Sequence, residues 1–325
     1  MRFLSLTTLL AAAQVGAASA PPVVIPLPLP LPAAPGTLVS IYEENDKFVP
    51  RNKDRYYTQG LRFSFSSDEH HYWALSQEIN TPSDTTTPDP LETDMPYSGA
   101  LFLTYGYGTV LERGGRNDCL ISAEVQFGVI GPASGAAYAQ TKFHELAGIT
   151  RPAGWETQLP NEPALNINLE FKRRFRLDAR PQPVRDLILR TQLQLGTLRT
   201  HFLVAGQLRW GWNIDRSWGH SFLRHGNAYQ PLQAYNLASD GPAVSSWFFL
   251  DAQTEVVLRN YATDGANFVN SRGVARRPLV LQISLGTTYH FYHLSGTYFL
   301  AARTKEFETQ KSIHYFGGLK ADIKF

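Results

Sequence analysis

From Ile313 to Phe325 the chain alternates apolar and polar residues almost without fault. Ile313, Tyr315, Gly317, Leu319, Ala321, Ile323 and Phe325 fall on one side, and His314, Phe316, Gly318, Lys320, Asp322 and Lys324 on the other. Successive strand side chains point to opposite faces, so this segment reads as a strand with one face for lipid and one for a polar lumen. The same rhythm predicts strands at Thr37–Glu44, Tyr57–Ser66, Tyr72–Ile79, Tyr97–Tyr107, Leu120–Ile130, Asn166–Arg176, Asp186–Gly196, Thr200–Trp212, Trp247–Leu258, Leu279–Tyr289, Leu294–Ala302 and Ser312–Phe325. Each approaches the roughly 9 to 11 residues a membrane strand needs, and their even number, about 12, is that of a closed single-chain barrel. The expected fold class is all-β, a transmembrane antiparallel β-barrel with a short helix in an extracellular loop.

The first residues support export. Met1 to Ala20 has an early charge at Arg2, an apolar run from Phe3 to Ala13 and small residues Ala18-Ser19-Ala20, the form of a signal peptide cleaved after Ala20. Residues 21–36 alternate proline with aliphatic residues and read as an extended periplasmic leader. Residues 37–325 then form the barrel. Phe325, at the carboxyl terminus, is the expected handle for the barrel-assembly machinery.

Composition narrows the picture. Beyond the signal no run of eighteen apolar residues exists, which excludes a helical membrane protein, while 43% hydrophobic and 12% aromatic residues suffice for a barrel with aromatic girdles. A net charge of +2 with scattered Lys and Arg gives no nucleic-acid footprint. Cys119 is the single cysteine, so no internal disulfide forms.

With both termini on the periplasmic side, strand parity places 45–56, 80–96, 131–165, 197–199, 259–278 and 303–311 outside. In the longest of these loops, Ala136 to Leu146 lacks Gly and Pro and reads as a helix stopped by Gly148, with Tyr138, Thr141, His144 and Glu145 near one face. Parity puts 214–246 in the periplasm, where turns are short, and nothing in the pattern accounts for its length. His220, His225 and Trp218 in that segment are therefore set aside as structural. Tyr56 and Tyr57 read as girdle residues.

Candidate chemistry collects at the outer rim. The first strand ends in Glu43-Glu44-Asn45-Asp46, the second begins Asp54-Arg55-Tyr56-Tyr57-Thr58-Gln59-Gly60, and the helical loop offers His144. Carboxylate, amide and hydroxyl oxygens suit a hard cation such as calcium, and an imidazole suits a general base. Together they fit hydrolysis of a lipid ester.

These residues, with Gly128-Val129-Ile130-Gly131-Pro132, Gly135, Gln140, Gly148, Gly154-Trp155-Glu156-Thr157-Gln158-Leu159 and Asn161-Glu162-Pro163, resemble the LpxR-type lipid A deacylases. The resemblance runs from about Val39 to Phe325. It implies a 12-stranded outer-membrane barrel that removes the 3′-linked acyloxyacyl group of lipid A, its lipopolysaccharide substrate, by calcium-dependent ester hydrolysis. It also implies His144 as the catalytic histidine and Asn45, Asp46 and Thr58 as the remaining polar site residues, positioning calcium, water or the ester oxygen. Two positions depart from the family pattern. Thr150 stands where an acidic residue follows the histidine by six, with Glu44, Glu145 or Glu156 as candidate replacements, and Thr87 stands near an expected lysine. Two other readings remain: a phospholipase A-like esterase, and a non-catalytic barrel, either a pore or an inactive homologue, with Arg62, Gln192, Gln194, Arg209 and Lys320 lining the lumen.

Overall fold

In the computed structural model, residues 37–325 are described except 51–53, 67, 69, 114–115, 179–183 and 227–243; of 112–113, 116–117, 216 and 225 the backbone alone is described. The expected signal peptide and leader lie outside the described residues.

Twelve strands follow one another: β1 (Leu38–Asn45), β2 (Tyr56–Ser66), β3 (His71–Thr81), β4 (Ser98–Arg113), β5 (Arg116–Ile130), β6 (Glu162–Arg176), β7 (Arg185–Gly196), β8 (Arg199–Trp212), β9 (Val244–Asn260), β10 (Leu279–Phe291), β11 (Leu294–Arg303) and β12 (His314–Lys324). Each pairs antiparallel with its neighbours, and β1 closes on β12 from Leu38↔Lys324 to Asn45↔Gly317. Closure leaves no unpaired edge in lipid, which a membrane barrel requires. The alternation that predicted the strands is the alternation of the wall. In β12, Tyr315, Leu319, Ile323 and Phe325 are exposed outward while His314, Phe316 and Asp322 are buried inward. Among the described residues no helix is long and apolar enough to cross a membrane; the strands do so.

The lumen is filled by paired charges. Arg209 bridges Asp186 at 2.5 Å, Arg62 meets Glu124 at 2.9 Å, Arg303 meets Glu255 at 2.5 Å and Lys172 meets Glu170 at 3.3 Å. Charges removed from bulk water persist only with such partners.

The segment that sequence could not place explains the rest of the filling. After β8 the chain does not make a periplasmic turn; residues 214–226 run up inside the barrel. Arg209 Nη2 donates to the Ile214 carbonyl at 2.9 Å, and Trp218 packs with Tyr72 and Leu120 beneath the Arg174 guanidinium, 4.2 Å from its ring centre. His220 is stacked on Phe249 and hydrogen-bonded to the Tyr42 hydroxyl at 2.7 Å. Higher up, Lys172 donates to Ser221 at 2.7 Å, and Arg224 meets Glu306, in the loop after β11, at 2.5 Å. Parity was right about where this segment starts. It missed the inward return because a lumen-filling peptide carries aromatic, basic and small polar residues with no regular period. His220 and Trp218, set aside from sequence because parity put them on the opposite face, are instead buried within the barrel; the side chain of His225 lies outside the described residues.

Tyr56 and Tyr57 correct an expectation. Neither belongs to a girdle, since both are 1% exposed. Tyr57 turns inward to donate to Glu44 at 2.8 Å, and Tyr56 packs under the outer loops with Met95, Tyr261 and Phe307.

Candidate active site

Helix α1 (Ala136–Ala147) lies on the outside of the wall. Along β3 the outward positions are Trp73, Leu75, Gln77 and Ile79, and along β4 Gly99 shares its face with Tyr105 and Tyr107. Gln77 Nε2 donates to the Ser134 carbonyl at 2.8 Å, and Ala136 sits so close to Gly99 that a Cβ there would lie 2.2 Å from the Ala136 Cβ. Glycine is required at that crossing. Ile79, Tyr97, Ala136 and Trp155 form the apolar seam, and Trp155 Nε1 donates to Gln140 at 2.9 Å. The inward face of α1 is therefore Ala136, Gln140 and His144, spaced by four. The expected face of Tyr138, Thr141, His144 and Glu145 holds only at His144, because Tyr138 is 69% exposed. Packing against a wall, rather than the polarity of the helix itself, selected the face.

Gly148 ends α1 in the left-handed region, φ +66, and the Ile149 amide bonds back to the His144 carbonyl at 2.9 Å. This reversal carries Thr150 back over the histidine, where its carbonyl accepts from His144 Nδ1 at 2.6 Å. A carbonyl cannot donate, so Nδ1 carries the hydrogen and the ring is fixed. His144 Nε2 faces Asp54 Oδ2 at 2.8 Å, and Lys47 Nζ lies 3.2 Å from Asp54 Oδ1.

The other half of the site is the turn joining β1 to β2. Asn45 caps a short 3-10 helix (Asp46–Phe48) by accepting from the Lys47 amide at 2.8 Å, and the Arg55 amide donates to Asp46 Oδ2 at 2.9 Å. Burial, and then the charge of Asp54 beside it, hold the Asp46 carboxyl well above the usual carboxylate range. Next in the chain, Tyr56 has φ +62, an unfavourable backbone for a bulky residue, and a bulge between Tyr57 and Gln59 displaces Thr58 from the regular ladder. Strain and bulge coincide beside the carboxylates.

A family model described as Outer membrane protein LpxR matches residues 3–325. The chain belongs to this family. Among solved structures, LpxR from Salmonella typhimurium superposes with a TM-score of 0.74 at 17% identity, covering 89% of this chain and all of that one. At that identity the likeness shows the shared barrel. Other barrels align far less well. The KdgM porin reaches a TM-score of 0.38 at 6% identity, with 89% and 99% of the two chains covered, and the β domain of the Bordetella autotransporter BrkA 0.41 at 10% identity, with the same coverage. No curated protein matches the sequence. As an LpxR-family barrel the protein resides in the outer membrane, and its α1 rim is the outer one.

The structure brings three of the family-motif positions together: His144, Asp46 and the neighbouring Asn45, with Asp54 between histidine and turn. The Thr58 hydroxyl bonds to Thr81 at 2.8 Å. The residue that sequence reasoning missed is Asp54. It stood in the quoted Asp54-to-Gly60 motif, but a carboxylate in a loop carries no periodic signal that it touches a helix ninety residues away. None of the carboxylates considered as replacements at Thr150 reaches His144. Glu44 accepts from Tyr42, Tyr57 and the Leu223 amide in the lumen; Glu145, which its Lys142 hydrogen bond holds below the usual carboxylate range, pairs with Lys142 and Arg151; Glu156 is exposed. Thr150 contributes its backbone carbonyl instead. Thr87 is half-buried, with its hydroxyl turned to the Asp89 carbonyl.

For a cation, the fit is partial. Among the described residues no group of three or more His, Cys, Asp and Glu gathers with metal-holding geometry. Asp46 and Asp54 do form an adjacent carboxylate pair whose cost of ionisation a divalent ion relieves. The Asn45 and Thr58 oxygens are turned to Lys47 and Thr81.

Proposed function

We propose that the protein is a lipid A deacylase, a carboxylic ester hydrolase that cleaves the 3′-linked acyloxyacyl ester at the seam between α1 and the outer wall. The observation that carries this reading is the Asp54–His144 pair, buried with Asp46 on the lipid side of the barrel rather than in its lumen. A site on the outer wall meets lipids in the plane of the membrane. Phe143, Leu146 and Ile149 on and after α1 are exposed there, so acyl chains remain in apolar surroundings while the ester reaches the polar turn.

In this reading the Thr150 carbonyl holds the Nδ1 hydrogen and fixes the imidazole; when entry of substrate parts His144 Nε2 from Asp54, the Nε2 lone pair takes the proton of the attacking water and later returns it to the departing sugar oxygen. Thr150 does not disable such a base, because its backbone carbonyl orients Nδ1 where an acidic side chain would. A hard cation, calcium by family resemblance, would be held at Asp46 and Asp54, where it would supply positive charge for the developing oxyanion. His144 is 2% exposed, so entry of substrate requires α1 to part from the rim.

The pore reading has less support, since residues 214–226 and paired charges occupy the lumen. Phospholipase action is the closer rival, because it uses the same groups. Purified protein offered lipid A and glycerophospholipid separately decides between them: fatty acid released from lipid A, with an about 10²–10⁴-fold loss in Asp54→Asn, supports the deacylase, whereas release from glycerophospholipid alone overturns it. We also propose that Phe325 is read by the barrel-assembly machinery. In the folded protein its amide closes the seam by donating to the Thr37 carbonyl at 2.8 Å.

A further inference from the structure

Glu43 is a carboxylate on the wrong side of a membrane wall. In β1 it shares the outward face with Val39, Ile41 and Asn45, and its pairing partners, Leu61 on β2 and Leu319 on β12, also point out, among exposed Ile41, Phe63 and Leu319. An acidic side chain at such a position is costly and needs a reason. Asn45 Nδ2 and Gln59 Nε2 each donate to it at 3.2 Å, both to Oε1. Among the described residues no hydrogen bond reaches Oε2. Two rungs of one strand, about 7 Å, separate Glu43 from Asn45 and the catalytic turn, roughly the span of one sugar ring. Helix α1 covers β3 and β4 and leaves this strip of β1 and β2 open to the side.

We propose that Glu43, steadied by Asn45 and Gln59, is a specificity subsite that accepts a hydrogen bond from a hydroxyl or amide N–H of the saccharide part of the substrate. This inference rests on the deacylase reading and adds to it the orientation of the lipid. A carboxylate repels phosphate, so the sugar face that enters here is one bearing donors, and phosphate lies toward Lys47, whose side chain is one-third exposed. The subsite also selects a class of lipid. An acylated amino sugar presents donors beside its ester, whereas a diacylglycerophospholipid presents only acceptor oxygens there, leaving Glu43 unsatisfied.

The test is steady-state kinetics of the full-length, folded barrel in mixed micelles, with heat-modifiable gel mobility reporting folding. Wild type, Glu43→Gln and Glu43→Leu are compared on lipid A over a range of concentrations, with glycerophospholipid as second substrate. The subsite predicts that Glu43→Leu raises KM for lipid A roughly tenfold, the worth of one charge-assisted hydrogen bond, with kcat within about twofold. It also predicts a smaller rise in Glu43→Gln and a matching fall in the preference for lipid A over glycerophospholipid. An unchanged KM in Glu43→Leu, or an equal loss on both substrates, overturns the subsite while leaving the deacylase intact. A folded wild type that releases nothing from lipid A overturns the deacylase reading and the subsite with it.

Discussion

At the scale of single residues, the site holds a tension between Asp46 and Asp54. Burial and the neighbouring carboxylate raise the Asp46 pKa. Above that raised value Asp46 is ionised at a cost to the folded state. As pH falls through it toward the ordinary carboxylate range the cost shrinks, and it is gone once the unfolded chain's carboxyl is protonated too, so this group makes the protein less stable at neutral pH than under mildly acidic conditions. Asp46→Asn is thus expected to raise the thermal midpoint by a few degrees near neutral pH, with the difference shrinking as the pH approaches the ordinary carboxylate range, and to abolish deacylation. Thermal unfolding across pH checks this, and a variant less stable than wild type at neutral pH contradicts it. Calcium should raise the wild-type midpoint and leave Asp46→Asn nearly unmoved. His144, Asn45 and Asp46 could be nominated from the sequence because they sit in ordered motifs. Asp54 and the Thr150 carbonyl were not, since one depends on a loop folding back to a helix and the other is a backbone atom that any residue supplies.

At the scale of elements, two segments do what strand alternation cannot announce. Helix α1 is held to the outside of the wall by the bare crossing at Gly99. Gly99→Val inserts bulk where a single Cβ already collides with Ala136, so α1 should lift, with activity falling at least about tenfold while the barrel stays folded by gel mobility. Normal activity in this variant means that His144 is not delivered by that contact. Eleven of the twelve strands were readable to within four residues at each end, and β4 runs six residues beyond its reading, because lipid outside and polar lumen inside impose period two on every one. The helix was readable in extent and stop but not in its buried face, which the wall decided. Residues 214–226 were unreadable as a plug, for their partners, among them Arg174, Gln207, Glu44 and Glu306, come from elements spread over the whole chain.

At the scale of the whole molecule, a closed outer-membrane barrel of the LpxR family is filled rather than open, and its candidate chemistry lies on its lipid-facing side. Planar-bilayer recordings should therefore show no stable open steps for the wild type. Removing the Arg224–Glu306 anchor through Arg224→Ala should loosen the plug and admit intermittent conductance, and stable steps in the wild type would count against a filled lumen. The central claim is the outer-wall ester hydrolysis by the His144–Asp54 pair. Its most direct measurement is the mass of lipid A from cells of defined lipid A expressing wild type, His144→Ala or Asp54→Asn. Loss of one acyloxyacyl unit in the wild type, absent in both variants with barrels folded alike, is the predicted result. Unchanged lipid A in the wild type, or deacylation that persists without His144, contradicts the account.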